Sequence, residues 1–205
     1  MTKSKEDFIM EKRIFTEIPF VIDLEVLNER MKLRNNKRML ETLEELIKQA
    51  EAVAKPKAIY IEALIQELKE DYITIGETQF NSKNLAENVK GVDIVFPYII
   101  TSGVEVEALT KEIDDLLDQF LFDGIKTEIL LCATDFISQD IKNKYGYEEI
   151  TYEIPGSLEG WDMLEQKKLF ALFGDVEGDI GVKLSDSNIM YPGKSVSGIY
   201  FRKVE

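Results

Sequence analysis

GVKLSDSNIMYPGKSVSGIYF, residues 181–201, is the stretch richest in glycine, proline and short hydroxyl side chains, and it lies between two strand-like runs. Ser185, Asp186, Ser187, Ser195 and Ser197 supply compact donors and acceptors there. Gly193 and Gly198 admit a close backbone or ligand, and Pro192 stiffens the turn. Two readings fit these residues: a tight β-turn between two strands, or a main-chain surface that recognises a small molecule.

Upstream of this stretch, the patterning is that of one α+β domain. Asp23 suits the N-cap of a short helix carrying Leu24, Leu27 and Met31, and RNNKR turns the chain into a longer helix ending near Ala54. AIYIEALIQEL reads as either strand or short helix, and YITIG alternates as a strand does. Ser82 suits a further N-cap, and VDIVFPYII is a near-continuous apolar run expected to be buried on both faces. After Thr101-Ser102-Gly103, apolar spacing predicts a helix through Phe120, then a second helix after Asp123-Gly124. Strands are expected at YEEITYEI, GDIGVKL and SGIYFRKV, with a helix from about Leu164 to Phe173. Residues 1–20 read as a loose N-terminal arm and 21–205 as the domain; no linker or repeat divides the chain.

The chain has 205 residues and a net charge of −14. Such an acidic balance opposes binding to nucleic acid or to an anionic membrane, both of which want basic patches. No apolar run reaches the roughly 18–20 residues of a bilayer span, and MTKSKEDFIMEKRIF has no signal-peptide core, so a cytoplasmic location is expected. There is no histidine, which removes imidazole as a metal ligand or as a base near neutral pH. The single cysteine, Cys132, lies in ILLCATDFI and reads as a buried structural thiol. No metal site is expected: Asp175, Glu177 and Asp179 lack the order of a calcium loop and read as a solvated turn.

The C-terminal stretch resembles the signature of the activation (reactivation) domain of cobalamin-dependent methionine synthase, roughly G-x-x-L-T-E-S-x-x-M-x-P-x-x-S-V-S-G-x-Y-F. The matching residues are Gly181, Leu184, Ser187, Met190, Pro192, Ser195, Val196, Ser197, Gly198, Tyr200 and Phe201, with Ser185 for Thr and Asp186 for Glu. WDMLEQKKLFALF is similar to the helix before that signature, and weaker likeness runs back to AKPKAIY. The resemblance implies an α+β fold, a twisted antiparallel sheet with helices packed around it. It also implies binding of S-adenosylmethionine and docking on a cobalamin-binding protein or methionine synthase subunit, with an electron donor protein serving the reduction.

The family's R-x-x-x-G-Y pattern falls on the loop EIPGSLEGW. Aligning on Pro155-Gly156 puts Tyr152 at the Arg position and Ser157 at the Tyr position, and no arginine lies between Arg38 and Arg202. Loss of a guanidinium clamp on a carboxylate costs a few kcal/mol. The residues implied to hold S-adenosylmethionine are therefore Tyr152, Gly156, Ser157, Asp186, Lys194, Ser195, Tyr200 and Phe201, Lys194 being the replacement cation. Consecutive strand residues point to opposite faces, so one of Tyr200 and Phe201 is expected to meet ligand and the other to enter the core. The Thr101-Ser102-Gly103 turn reads as an anion site or a simple cap. Two functions follow: a reactivation module for reductive methylation of a corrinoid, or a docking or regulatory subunit whose S-adenosylmethionine site is degenerate. No acid/base carboxylate pair stands out to support an independent enzyme.

Overall fold

The structure, a computed structural model, describes residues 11–204. Its elements are β1 (Glu11–Phe15), α1 (Leu24–Arg30), α2 (Lys37–Val53), β2 (Lys57–Leu68), β3 (Tyr72–Ile75), β4 (Thr78–Asn81), α3 (Lys83–Asn88), β5 (Ile94–Thr101) and α4 (Val104–Leu109). There follow α5 (Leu116–Tyr145), β6 (Ile150–Glu153), α6 (Gln166–Phe173), α7 (Val176–Ile180), β7 (Lys183–Leu184), β8 (Met190–Tyr191) and β9 (Ser195–Arg202). The main sheet runs β4-β3-β2-β5-β9-β6, with β1 also on β2, and every pairing is antiparallel. This is the α+β, helix-flanked antiparallel sheet that the sequence leads one to expect.

Helix starts follow the capping residues. Asp23 accepts from the amides of Glu25 and Val26, and Ser82 accepts from Leu85. The ambiguous AIYIEALIQEL is strand β2, because its apolar residues feed two cores from a central position. Pro97 leaves its mark on β5: Cα pairing with β2 holds at Tyr60–Tyr98 and Ala63–Val95 but lapses between them.

One sheet face sets Ile59, Val95, Ile99, Ile199 and Phe201 against α3, α6, α7 and Trp161. The other sets Tyr60, Phe96, Tyr98, Ile100 and Tyr200 against Ala133, Ile137 and Ile141 of α5. A third core joins α1, α2 and α4 to the first half of α5 through Leu27, Leu43, Leu46, Val106, Phe122 and Ile125. Each fully enclosed Ile or Phe contributes about 1.5–3 kcal/mol of burial free energy.

Four expectations change. The helix predicted through Phe120 breaks after α4, between Leu109 and Leu116, and its last residues join the helix predicted after Asp123-Gly124 in one helix of 30 residues. Met31 packs where a Gly124 side chain would sit, so the glycine serves close packing and does not end the helix. GDIGVKL is mostly helical, since Asp175 caps α7 through the Gly178 amide and leaves a strand of only two residues. Cys132 is half-exposed on α5, its thiol donating to the Val21 carbonyl at 3.6 Å. Residues 1–10 of the arm lie outside the described residues, but from Glu11 the chain is an edge strand, tied to α7 by Lys12–Asp179 and to α5 by Arg13–Asp140, both at 2.7 Å.

Candidate functional site

Of the site residues expected from sequence, Ser195, Tyr200 and Phe201 lie on β9 and Tyr152 on the edge strand β6, with Lys194 just before β9, Gly156 and Ser157 in the loop after β6, and Asp186 in the turn between β7 and β8. Tyr152 pairs with Tyr200 and Glu153 with Ile199, so β6 runs toward the Ser195 end of β9. Tyr152 is 49% exposed and meets the buried Tyr200 ring edge-on at 5.6 Å. Tyr200 in turn lies 4.3 Å from the ring of Tyr98, giving a three-tyrosine layer on the α5 side of the sheet. Burial first, then the neighbouring Tyr152 and Asp135, pushes the Tyr200 phenol well above its ordinary range.

Phe201 points to the other face and is also buried, among α3- and α6-side residues. Both members of the aromatic pair thus pack inside. Tyr200 lies beneath the half-exposed Tyr152 ring and donates its hydroxyl to the Thr134 carbonyl at 3.4 Å, while Phe201 lines a hollow of ≈ 490 Å³ with Asn88, Thr151 and Glu153. Gly198 precedes Tyr200 by two residues and pairs with Tyr98 of β5. A Cβ there would run into the Glu153 carbonyl and come within 2.9 Å of the Tyr98 hydroxyl, so only glycine lets β6, β9 and Tyr98 close up.

Gly156 and Ser157 are exposed in the loop after β6. Gly156 donates to the Trp161 carbonyl at 2.7 Å, and a φ of 81° gives the turn its left-handed step. Together with Leu158, Trp161, Met163 and Asn81 they line an open hollow of ≈ 620 Å³.

Lys194 and Ser195 sit at the far end of β9, about 17 Å along the strand from Tyr200 at ~3.3 Å per residue. Lys194 pairs with Asp123 of α5 at 2.8 Å. Asp123 also lies 3.9 Å from the buried Lys126, which bonds Glu107 of α4 at 3.0 Å. The Ser195 hydroxyl lies 2.9 Å from Thr101 Oγ1 and donates to the Pro192 carbonyl at 2.8 Å. Asp186 is exposed in a turn closed by the Asn188 amide on the Ser185 carbonyl, and its own carbonyl accepts from Lys167 at 3.5 Å. The structure therefore brings Tyr152 to Tyr200, Gly156 to Ser157, and Lys194 to Ser195, and leaves Asp186 apart on the α6 side. Asp123 and Thr101 were the partners the sequence did not single out; Thr101 belonged to a noted turn, whereas Asp123 read as a helix boundary.

The Thr101-Ser102-Gly103 turn is capped within the chain. The Gly103 amide donates to Thr101 Oγ1 at 3.2 Å, and Glu105 and Glu107 occupy the first turn of α4. Ser102 Oγ and Ser197 Oγ are buried without a hydrogen-bond partner. The acidic trio is dispersed: Asp175 caps α7, Asp179 binds Lys12 and Glu177 binds Lys183. No group of three or more potential metal-ligating side chains occurs among the described residues, and no described helix is long and apolar enough to cross a membrane.

No curated protein matches the chain. Among solved structures, a match described as "Crystal Structure of the MetH Reactivation Domain bound to AdoHcy" superposes with a TM-score of 0.64 at 16% identity, covering 95% of this chain and 79% of that one. At that identity the likeness establishes the fold. The family model for "Vitamin B12 dependent methionine synthase, activation domain" matches residues 23–205, and the chain belongs to that family.

Proposed function

We propose that the protein binds S-adenosylmethionine at the β6–β9 edge and serves as the reactivation module of a corrinoid-dependent methionine synthase. The observation that carries this reading is the family match, which runs unbroken through the C-terminal signature. The solved relative with the same fold was crystallised with AdoHcy, the demethylated form of that ligand, and this supports the choice.

The donor set fits the ligand in part. Tyr152 offers a half-exposed ring, braced by Tyr200, to a flat base or a sulfonium. Gly156 and Ser157 offer exposed backbone and a hydroxyl beside it. The carboxylate is the weak point, since Lys194 is already paired with Asp123 and Arg202 is turned to the Gly91 carbonyl at 2.5 Å. When bound, the ligand supplies a methyl group to a corrinoid held on a partner protein, with an electron donor protein reducing the metal. What this chain contributes is binding, orientation and exclusion of water. It has no histidine to offer cobalt as an axial ligand.

Calorimetric titration of the purified protein with S-adenosylmethionine tests the reading. Saturable binding at or below millimolar concentration is expected, and its absence would remove the methyl-donating version.

One observation favours a second reading. Tyr152 stands where the family's arginine is expected and its ring is packed on Tyr200, which suits a docking or regulatory subunit with a degenerate ligand site. Retention of a purified cobalamin-binding domain without S-adenosylmethionine, combined with a silent titration, would select it.

A further inference from the structure

The first half of α5 turns an apolar stripe outward. Leu117 and Phe120 stand three residues apart on one side of the helix, and Met31 covers the next position on that side, Gly124. The opposite side, with Leu121, Phe122, Ile125 and Ile129, is fully buried. On the outward side, Phe120 is 53% exposed, Leu117 40% and Leu131 37%, and the neighbouring Leu116 is 80% exposed. Scattered exposed apolar residues need no explanation, but Leu116, Leu117 and Phe120 gathered at one helix start do.

A cationic turn lies against this stripe. Met31 seats on Gly124, and Arg30 donates to Glu128 at 2.6 Å, which fixes the α1–α2 turn beside the middle of α5. Residues 30–38 contain Arg30, Lys32, Arg34, Lys37 and Arg38 and no acid, on a chain whose net charge is −14. Lys32, Arg34 and Arg38 are exposed and have no ion pair among the described residues, and Lys37 has only a 3.7 Å contact with Glu41. The other end of the stripe is anionic, with Asp114 and Asp115 exposed just ahead of it.

We infer that this face joins two copies of the chain in a two-fold dimer. A patch that is negative at one end, apolar in the middle and positive at the other is complementary to itself after a half-turn, as an isologous interface requires. Asp115 and Gly124 lie nine residues apart, about 14 Å along the helix. Antiparallel α5 helices crossing near Phe120 therefore set Asp114 and Asp115 of one copy against the basic turn of the other. Leu117 and Phe120 meet across the axis. An acidic protein or an anionic lipid surface would match the turn but be repelled by the aspartates, so a second copy is the better fit. Repulsion between the two acidic bodies is screened beyond about 8 Å at physiological salt. The inference is independent of the ligand reading.

Sedimentation velocity of the full chain, from micromolar to submillimolar concentration at physiological salt, is the test. A concentration-dependent dimer is expected. Phe120→Asp should raise its dissociation constant at least ~10-fold, the effect of removing a central anchor, with the far-ultraviolet circular dichroism unchanged. Arg34→Glu with Arg38→Glu should weaken it similarly, and adding Asp114→Lys should restore part of it, which a merely structural role would not do. A monomer at every concentration overturns the inference. So does a dimer indifferent to Phe120→Asp and the charge swaps, or a monomer that sediments with phosphatidylserine vesicles.

Discussion

Gly198 shows how much a single residue decides at the β6–β9 edge. Its missing side chain is what lets the Glu153 carbonyl and the Tyr98 hydroxyl approach β9. Gly198→Ala forces backbone and ring apart and should cost about 2 kcal/mol or more, read as a lower urea midpoint at unchanged slope. Tyr152 decides the ligand question. If the family's register holds, Tyr152→Arg with Ser157→Tyr should tighten S-adenosylmethionine binding by about tenfold or more, since a charge-assisted pair to a carboxylate returns a few kcal/mol. Unchanged affinity in calorimetry would mean that the register or the ligand is wrong. Individual residues were unevenly legible in the sequence. Asp23 and Ser82 announced their caps because capping is local chemistry. The burial of both Tyr200 and Phe201 was hidden, because strand alternation tells that they face apart but not that each face is covered by helices.

Among the elements, β1 and α5 depend most on distant partners. Arg13 on β1 donates to the Tyr60 hydroxyl at 2.9 Å and to Asp140 of α5 at 2.7 Å, and Tyr60 also donates to Asp140 at 2.8 Å. Asp140→Ala leaves the Tyr60 hydroxyl short of its acceptor and should cost about 1–2 kcal/mol. Hydrogen exchange should show the loss first as faster exchange of β1 amides, because an edge strand opens before the sheet. The same dependence explains why β1 and the length of α5 were not readable locally. The Arg13–Asp140 tie spans more than a hundred residues of sequence, and nothing near Gly124 says that Met31 fills its empty side. β5, by contrast, was plain from its unbroken apolar run, since burial on both faces is written into composition.

For the molecule as a whole, the alkaline side is where stability should fall. Burial holds the phenols of Tyr60, Tyr98, Tyr145 and Tyr200 above the ordinary 10.0, in Tyr60 and Tyr145 with help from bonds to Asp140 and Glu62. Folded values above unfolded ones mean that their contribution is intact below pH 10 and is lost as pH climbs beyond it, when the unfolded chain ionises first. The urea midpoint should therefore drop progressively from about pH 10 upward. It should change little between pH 6 and 8, where no imidazole titrates. The fold class was legible from alternation and capping, whereas the candidate site was read only from a family signature, and its members lie on both ends of β9, on β6 and the loop after it, and in the Asp186 turn. One further property follows from α5, which at 30 residues is about 45 Å long. Its first half closes the helical core and its second half closes the sheet. A protease nick between Ile129 and Ala133 would thus strip the lid from two compartments at once, and neither severed piece would keep a shape of its own.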